Sequence, residues 1–117
     1  INGIHWSITH KGNLLAAIFG SSPVGVDIEH RVERDEKIFS FIIGEEWERM
    51  GERTWDSFYM LWTAKEAFIK KKQLALEILP AITLISKDGD TLLLQYHHSY
   101  VPIRSLRTSE YIYSYTL

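Results

Sequence analysis

Two acidic segments about forty residues apart carry the chemistry of this chain: Val24-Gly25-Val26-Asp27-Ile28-Glu29, and then Trp62-Thr63-Ala64-Lys65-Glu66-Ala67-Phe68-Ile69-Lys70. As a strand, the first sends Gly25, Asp27 and Glu29 to one face and Val24, Val26 and Ile28 to the other, because side chains alternate with period two. As a helix, the second sets Glu66 and Lys70 one turn apart on a shared surface. Three carboxylates able to converge, with lysines beside them, suit a hard divalent cation and a polyphosphate substrate. Each segment alone has a plainer reading: a solvated sheet face for Asp27 and Glu29, and a surface i,i+4 pair for Glu66 and Lys70. The two together are harder to dismiss.

Five histidines invite a different metal site, and their positions argue against it. His97 and His98 are adjacent and would face opposite ways on a strand, and His5 and His30 have no partner at a ligand-like spacing. His10 stands beside Thr9 and Lys11, a small set of donors suited to a phosphate oxygen, although a polar hairpin turn would look the same.

The elements that must position these residues read as strands, then helices, then strands. Ile4 to Thr9 and Leu14 to Phe19 form an expected hairpin around Lys11-Gly12-Asn13, and Gly20-Ser21-Ser22-Pro23 breaks the chain before the acidic strand. Short helical runs follow at Ile38 to Ile43 and Glu45 to Met50. A long helix runs from Trp55 to about Lys72, capped by Thr54, with Asp56 at the positive end of its dipole. Wound at about 100° per residue, it groups Phe58, Ile69, Trp62 and Trp55 on one face, extended by Leu61 and Phe68. Lys65 lies inside that stripe and Glu66 on its edge, so Lys65 is expected to be paired, metal-bound or snorkelling. Beyond Pro80 come strands at Ala81 to Ser86, Thr91 to Tyr96 and Tyr111 to Leu117, with Val101 to Leu106 as a fourth candidate. This order predicts an α+β domain spanning residues 1–117, an antiparallel sheet packed against one long helix and shorter helices.

At 117 residues, 45% of them hydrophobic, the chain is long enough to bury a core. It has no apolar run of membrane-spanning length and no signal-like start, so a soluble, cytoplasmic protein is expected. Without cysteine, any metal must be held by oxygen or nitrogen. A net charge of −2 argues against a general nucleic-acid binder, despite the cluster Lys70, Lys71 and Lys72. The chain starts at Ile1 rather than at a methionine, as a piece of something longer would.

The motifs resemble the 4'-phosphopantetheinyl transferase superfamily, whose hallmark is G-[VI]-D-x-E followed by W-x-x-K-E-[AS]-x-x-K. Gly25 to Glu29 and Trp62 to Lys70 match both in residue type and order. Ile8-Thr9-His10-Lys11 is similar to the Ser-His segment upstream of them in the Sfp-type branch, and the likeness runs from about Ile4 to Leu117. The resemblance implies a transferase that moves 4'-phosphopantetheine from coenzyme A to a serine of an acyl or peptidyl carrier protein, releasing adenosine 3',5'-bisphosphate. It implies Mg2+ on Asp27, Glu29 and Glu66, with Glu66 activating the hydroxyl and Lys70 both catalytic and in contact with the phosphates. It also implies coenzyme A binding by Thr9, His10, Lys65 and Lys70.

The match is to the second half of the Sfp-type enzymes, which hold coenzyme A between two similar halves. A homo-oligomer, or a separate first half, is therefore expected. Where the family often has a Gly-x-Gly-Leu turn, this chain has Lys71-Lys72-Gln73-Leu74-Ala75-Leu76. The alternatives are a non-catalytic half-domain that binds metal or carrier protein, and a metal-dependent phosphodiesterase using the same acids.

Overall fold

The computed structural model describes residues 3–117, so the first two residues of the expected domain lie outside it. The fold is α+β. Strands β1 (His5–Lys11) and β2 (Leu14–Gly20) form an antiparallel hairpin. Its turn uses Gly12 at φ 57°, where an added Cβ would lie 2.9 Å from the Tyr111 hydroxyl. Strand β3 (Val26–His30) then opens a second, five-stranded antiparallel sheet completed by β4 (Thr83–Asp88), β5 (Thr91–Tyr96), β6 (Ser99–Arg107) and β7 (Tyr111–Thr116). The spatial order is β3-β7-β6-β5-β4, which leaves β3 at an edge.

Between β3 and β4 run the helices α1 (Gly44–Met50) and α2 (Trp55–Lys72), with 3-10 turns at Glu36–Phe41 and Leu76–Ala81. The expected helical run at Ile38 to Ile43 is the first of these turns, too short to sustain i→i−4 bonding. The fourth candidate strand is the longest in the molecule, β6 at 9 residues, and it pairs on both sides. Its Pro102 is tolerated because β7 ends there: pairing with β6 begins at Ile103↔Thr116, and only the Leu117 N–H reaches the Pro102 carbonyl, at 3.1 Å.

Helix α2 organises the core. Thr54 caps it by accepting from the Ser57 N–H at 3.1 Å. It ends at Gln73, which takes the left-handed conformation at φ 55° where glycine is the usual choice. Leu61, Ala64 and Phe68 are fully buried and join Leu84, Leu92, Leu94 and Ile103 of the sheet in one apolar cluster. The Phe39 ring packs 4.5 Å from Trp55 and 5.0 Å from Trp47. Because α2 is enclosed on most sides, polar residues are buried on it too, Thr63 and Lys65 among them. The Thr63 hydroxyl lies 2.7 Å from Ser114 Oγ, which donates to Ser105 Oγ at 2.9 Å, tying α2 to β7 and β6.

Candidate active site

Register places the first two acids. Asp27 pairs with Ser114 and Glu29 with Ile112 across the β3–β7 ladder, and directly opposite residues share a face. Ser114 meets Thr63 of α2, so Asp27 and Glu29 look toward that helix. The approach is close because of Gly25. A Cβ there would fall 1.9 Å from the Ala67 carbonyl oxygen and 2.8 Å from the Lys71 nitrogen, so only glycine lets the start of β3 lie against the last turns of α2. Glu66 and Lys70 are thereby brought to the acids of β3.

The charges of these groups act on one another. Burial pushes the Asp27 carboxyl up to about 7, the nearby charge of Glu66 pushes it the same way, and the Lys70 ammonium opposes both. The Glu66 carboxyl is also held above the usual range, by burial first and by Glu29 second, with Lys70 and Lys11 acting against that. Lys70 Nζ donates to the Val26 carbonyl at 2.9 Å and lies 3.6 Å from Asp27 Oδ1.

The hairpin supplies a second wall, again by period two. Ser7, Thr9 and Lys11 are alternate residues of β1, and each meets β3. Ser7 Oγ accepts the Val26 N–H at 3.1 Å, the Thr9 hydroxyl donates to Asp27 Oδ1 at 3.4 Å, and Lys11 Nζ lies 3.3 Å from Glu29 Oε2. At the free edge of β3, the Val26 N–H and carbonyl are thus met by the side chains of Ser7 and Lys70 rather than by another strand. His10, between Thr9 and Lys11, is exposed on the opposite face of β1 and does not join them.

Lys65 is not brought to this cluster either. It is 2% exposed, and its ammonium lies 2.9 Å from Oε2 and 3.1 Å from Oε1 of Glu46, itself 3% exposed on α1. Glu46 Oε2 also accepts the Leu84 N–H at 3.0 Å, beside the irregular register of β4 and β5. Burial lowers the Lys65 ammonium, and Glu46 counters it. Lys11, grouped in the sequence with Thr9 and His10 as a phosphate donor, stands against Glu29 instead. Glu46 is the supporting residue that sequence reasoning did not place. Nothing local marks it, an acid near the start of a short helix.

A metal ion fits the donor chemistry more than the ready geometry. Among the described residues, no group of three or more acidic or histidine side chains is already arranged to hold a metal. Lysines stand against the carboxylates instead. Yet Asp27 Oδ2 is buried without a hydrogen-bond partner among the described residues, and the mutual repulsion of three acids calls for more positive charge than two lysines provide. Two cavities, of about 380 and 460 Å³, flank Asp56 at the other end of α2, and none of the predicted site residues lines them.

Comparison with known proteins agrees with the motif positions. Residues 23–115 match the family model of the 4'-phosphopantetheinyl transferase superfamily. The chain is 34% identical over 77 residues to the 4'-phosphopantetheinyl transferase gsp of Aneurinibacillus migulanus, covering 57% of this chain and 30% of that protein. It is 33% identical over 73 residues to the 4'-phosphopantetheinyl transferase Sfp of Bacillus subtilis (strain 168), covering 58% and 33%. With the 4'-phosphopantetheinyl transferase psf-1 of Bacillus pumilus the identity is 31% over 100 residues, covering 80% and 43%. These matches span about a third to two-fifths of the relatives' own length.

Proposed function

This chain belongs to the 4'-phosphopantetheinyl transferase superfamily, and from that premise we propose that it moves 4'-phosphopantetheine from coenzyme A to a serine hydroxyl of an acyl or peptidyl carrier protein, with magnesium. The observation that carries the reading is the meeting of Asp27 and Glu29 on β3 with Glu66 and Lys70 on α2, across a contact that only Gly25 permits.

In the proposed reaction the serine oxygen bonds to the phosphorus that bears pantetheine, and the bond from that phosphorus to the bridging oxygen breaks. Adenosine 3',5'-bisphosphate leaves with the electron pair. Glu66 takes the serine proton. Its carboxyl suits that task because burial holds it above the ordinary range, nearer the working pH of a general base. Lys70, already oriented by the Val26 carbonyl, places an ammonium where charge grows on the phosphates. Thr9 fixes Asp27 through its hydroxyl. Asp27, Glu29 and Glu66 would hold the magnesium ion, which when bound neutralises and orients a pyrophosphate. Lys65 serves from a distance, by fixing α2 against α1 through Glu46 rather than by touching coenzyme A.

The test is the mass of a carrier protein after incubation with the chain, coenzyme A and magnesium. A gain of one phosphopantetheine, with release of adenosine bisphosphate only when the carrier is present, supports transfer. Glu66→Gln, half-buried at the edge of the core, should abolish the gain while leaving the fold intact. Release without a carrier would identify a phosphodiesterase, and binding without release a half-domain that does not turn over.

A further inference from the structure

Glu29 already holds a cation of the chain's own. Lys11 Nζ lies 3.3 Å from Glu29 Oε2, and the pair is unequal: the Lys11 side chain is 41% exposed, that of Glu29 only 17%. Lys11 also acts electrostatically on the Glu66 carboxyl, as does Lys70, whose Nζ lies 3.6 Å from Asp27 Oδ1. With all three carboxylates ionised, as coordination of a dication requires, the two ammoniums leave one formal negative charge. Adding a dication reverses that sign, and the surplus positive charge then rests most easily on the ammonium that is more exposed and less constrained. Lys70 is anchored to the Val26 carbonyl, whereas Glu29 is the single hydrogen-bonding or ion-pair contact that the described residues show for Lys11 Nζ.

We propose that Lys11 is an exchangeable counter-ion of this site: it occupies Glu29 in the metal-free protein, gives that carboxylate up to a divalent cation, and passes its ammonium to a phosphate oxygen of the substrate. The exchange couples the two ligands. Metal binding frees a phosphate-binding group, and the phosphate in turn keeps that group away from the metal's ligand. A long, flexible lysine on a strand end is suited to this, since its ammonium can move several ångströms while its backbone stays paired with Leu14. The first half rests on the metal site of the proposed function, and the second half on the transferase reading as well.

Isothermal titration on the whole chain separates the two halves. Magnesium alone should bind Lys11→Met about two- to fivefold more tightly than the unaltered protein, the size expected for removing one partly exposed ion pair from competition. At saturating magnesium, coenzyme A should bind Lys11→Met about two- to fivefold more weakly. Lys11→Arg should resemble the unaltered protein in both, and Lys87→Met, which removes the same charge from β4, should change neither. Thermal melts establish that each variant is folded, and Lys11→Gln stands in if the methionine variant is not. Unchanged or weaker magnesium binding by Lys11→Met overturns the exchange, as would failure of the unaltered chain to bind magnesium. Unchanged coenzyme A binding overturns the transfer to phosphate. If the unaltered chain binds magnesium and not coenzyme A, the transferase reading and the phosphate half fall together, while the magnesium arm still decides whether Lys11 competes for Glu29.

Discussion

Neighbouring lysines near the end of α2 have different tasks. Lys70 Nζ donates to the Val26 carbonyl beside Asp27, whereas Lys71 Nζ reaches back 2.7 Å to the Pro23 carbonyl, ahead of the acidic strand. Lys70→Ala should therefore raise the coenzyme A concentration needed for half-maximal rate by about tenfold or more, as for a lost charge-assisted contact, and Lys71→Ala should leave it nearly unchanged. Equal effects in a steady-state assay would show that the patch acts as bulk charge. A second consequence at this scale concerns Asp27. Its carboxyl titrates near 7 in the metal-free protein and near 3.8 in the unfolded chain. The folded state thus binds the extra proton between those values, and the stability this contributes is full below about 3.8 and lost as pH rises to about 7. Urea melts without metal should show falling stability over that window. Asp27→Asn should flatten the decline, and unaltered slopes would argue that the carboxyl is not buried as described. The acids themselves were legible in the sequence, because Asp27 and Glu29 obey period two and Glu66 and Lys70 obey i,i+4. The same period two separates His10 from Thr9, which adjacency in the sequence had grouped as phosphate ligands.

At the scale of elements, the glycine of the first motif and the lysine of the second act as fittings between β3, α1 and α2. Gly25→Ala places a methyl group inside the Ala67 carbonyl, which neither backbone can yield cheaply, so the strand must back away from the helix. A loss of about 3 kcal/mol in urea denaturation is expected, together with weaker metal binding as Asp27 separates from Glu66. Loss of stability with metal affinity unchanged would mean that the site does not depend on this approach. Lys65→Met leaves Glu46 as a buried charge without its cation and should cost about 3–5 kcal/mol by the same measurement. Adding Glu46→Gln to it should recover part of that, since the amide oxygen can still accept the Leu84 N–H. Absence of recovery would show that Lys65 matters through its packing alone. The sequence left Lys65 to be paired, metal-bound or snorkelling, and in the fold it is paired. It did not foretell the partner, because Glu46 is made interior by the packing of α1 against β4, a long-range contact with no local sign. The half-exposure of Trp55 and Trp62 was missed for a related reason: α2 buries Ser57, Thr63 and Lys65 on other sides, so its apolar stripe is a poor guide to its orientation.

For the molecule as a whole, the hairpin presents a face that the rest of the described residues do not cover. Trp6 stands opposite Phe19, Ile8 opposite Ala17 and His10 opposite Leu15, so these six side chains share one surface. Trp6, Leu15 and Phe19 are each at least 60% exposed. The other face of the same strand holds Ser7, Thr9 and Lys11 against the acids of β3, so whatever covers the apolar side also stiffens one wall of the site. His10 belongs to that outer surface, and it reaches a ligand only if a second surface closes over it. Contiguous apolar area of this kind favours association, and a second copy of this chain carries the same patch, as a two-fold contact requires. The expected outcome is a concentration-dependent dimer in sedimentation velocity, dissociated by Phe19→Ser with Leu15→Ser. Because both substitutions point away from β3, the double variant should keep its magnesium affinity and lose affinity for coenzyme A. A monomer of the unaltered chain that binds coenzyme A equally well at every dilution would show that the exposed face is not part of the site, and that β3, α2 and the inner side of β1 suffice.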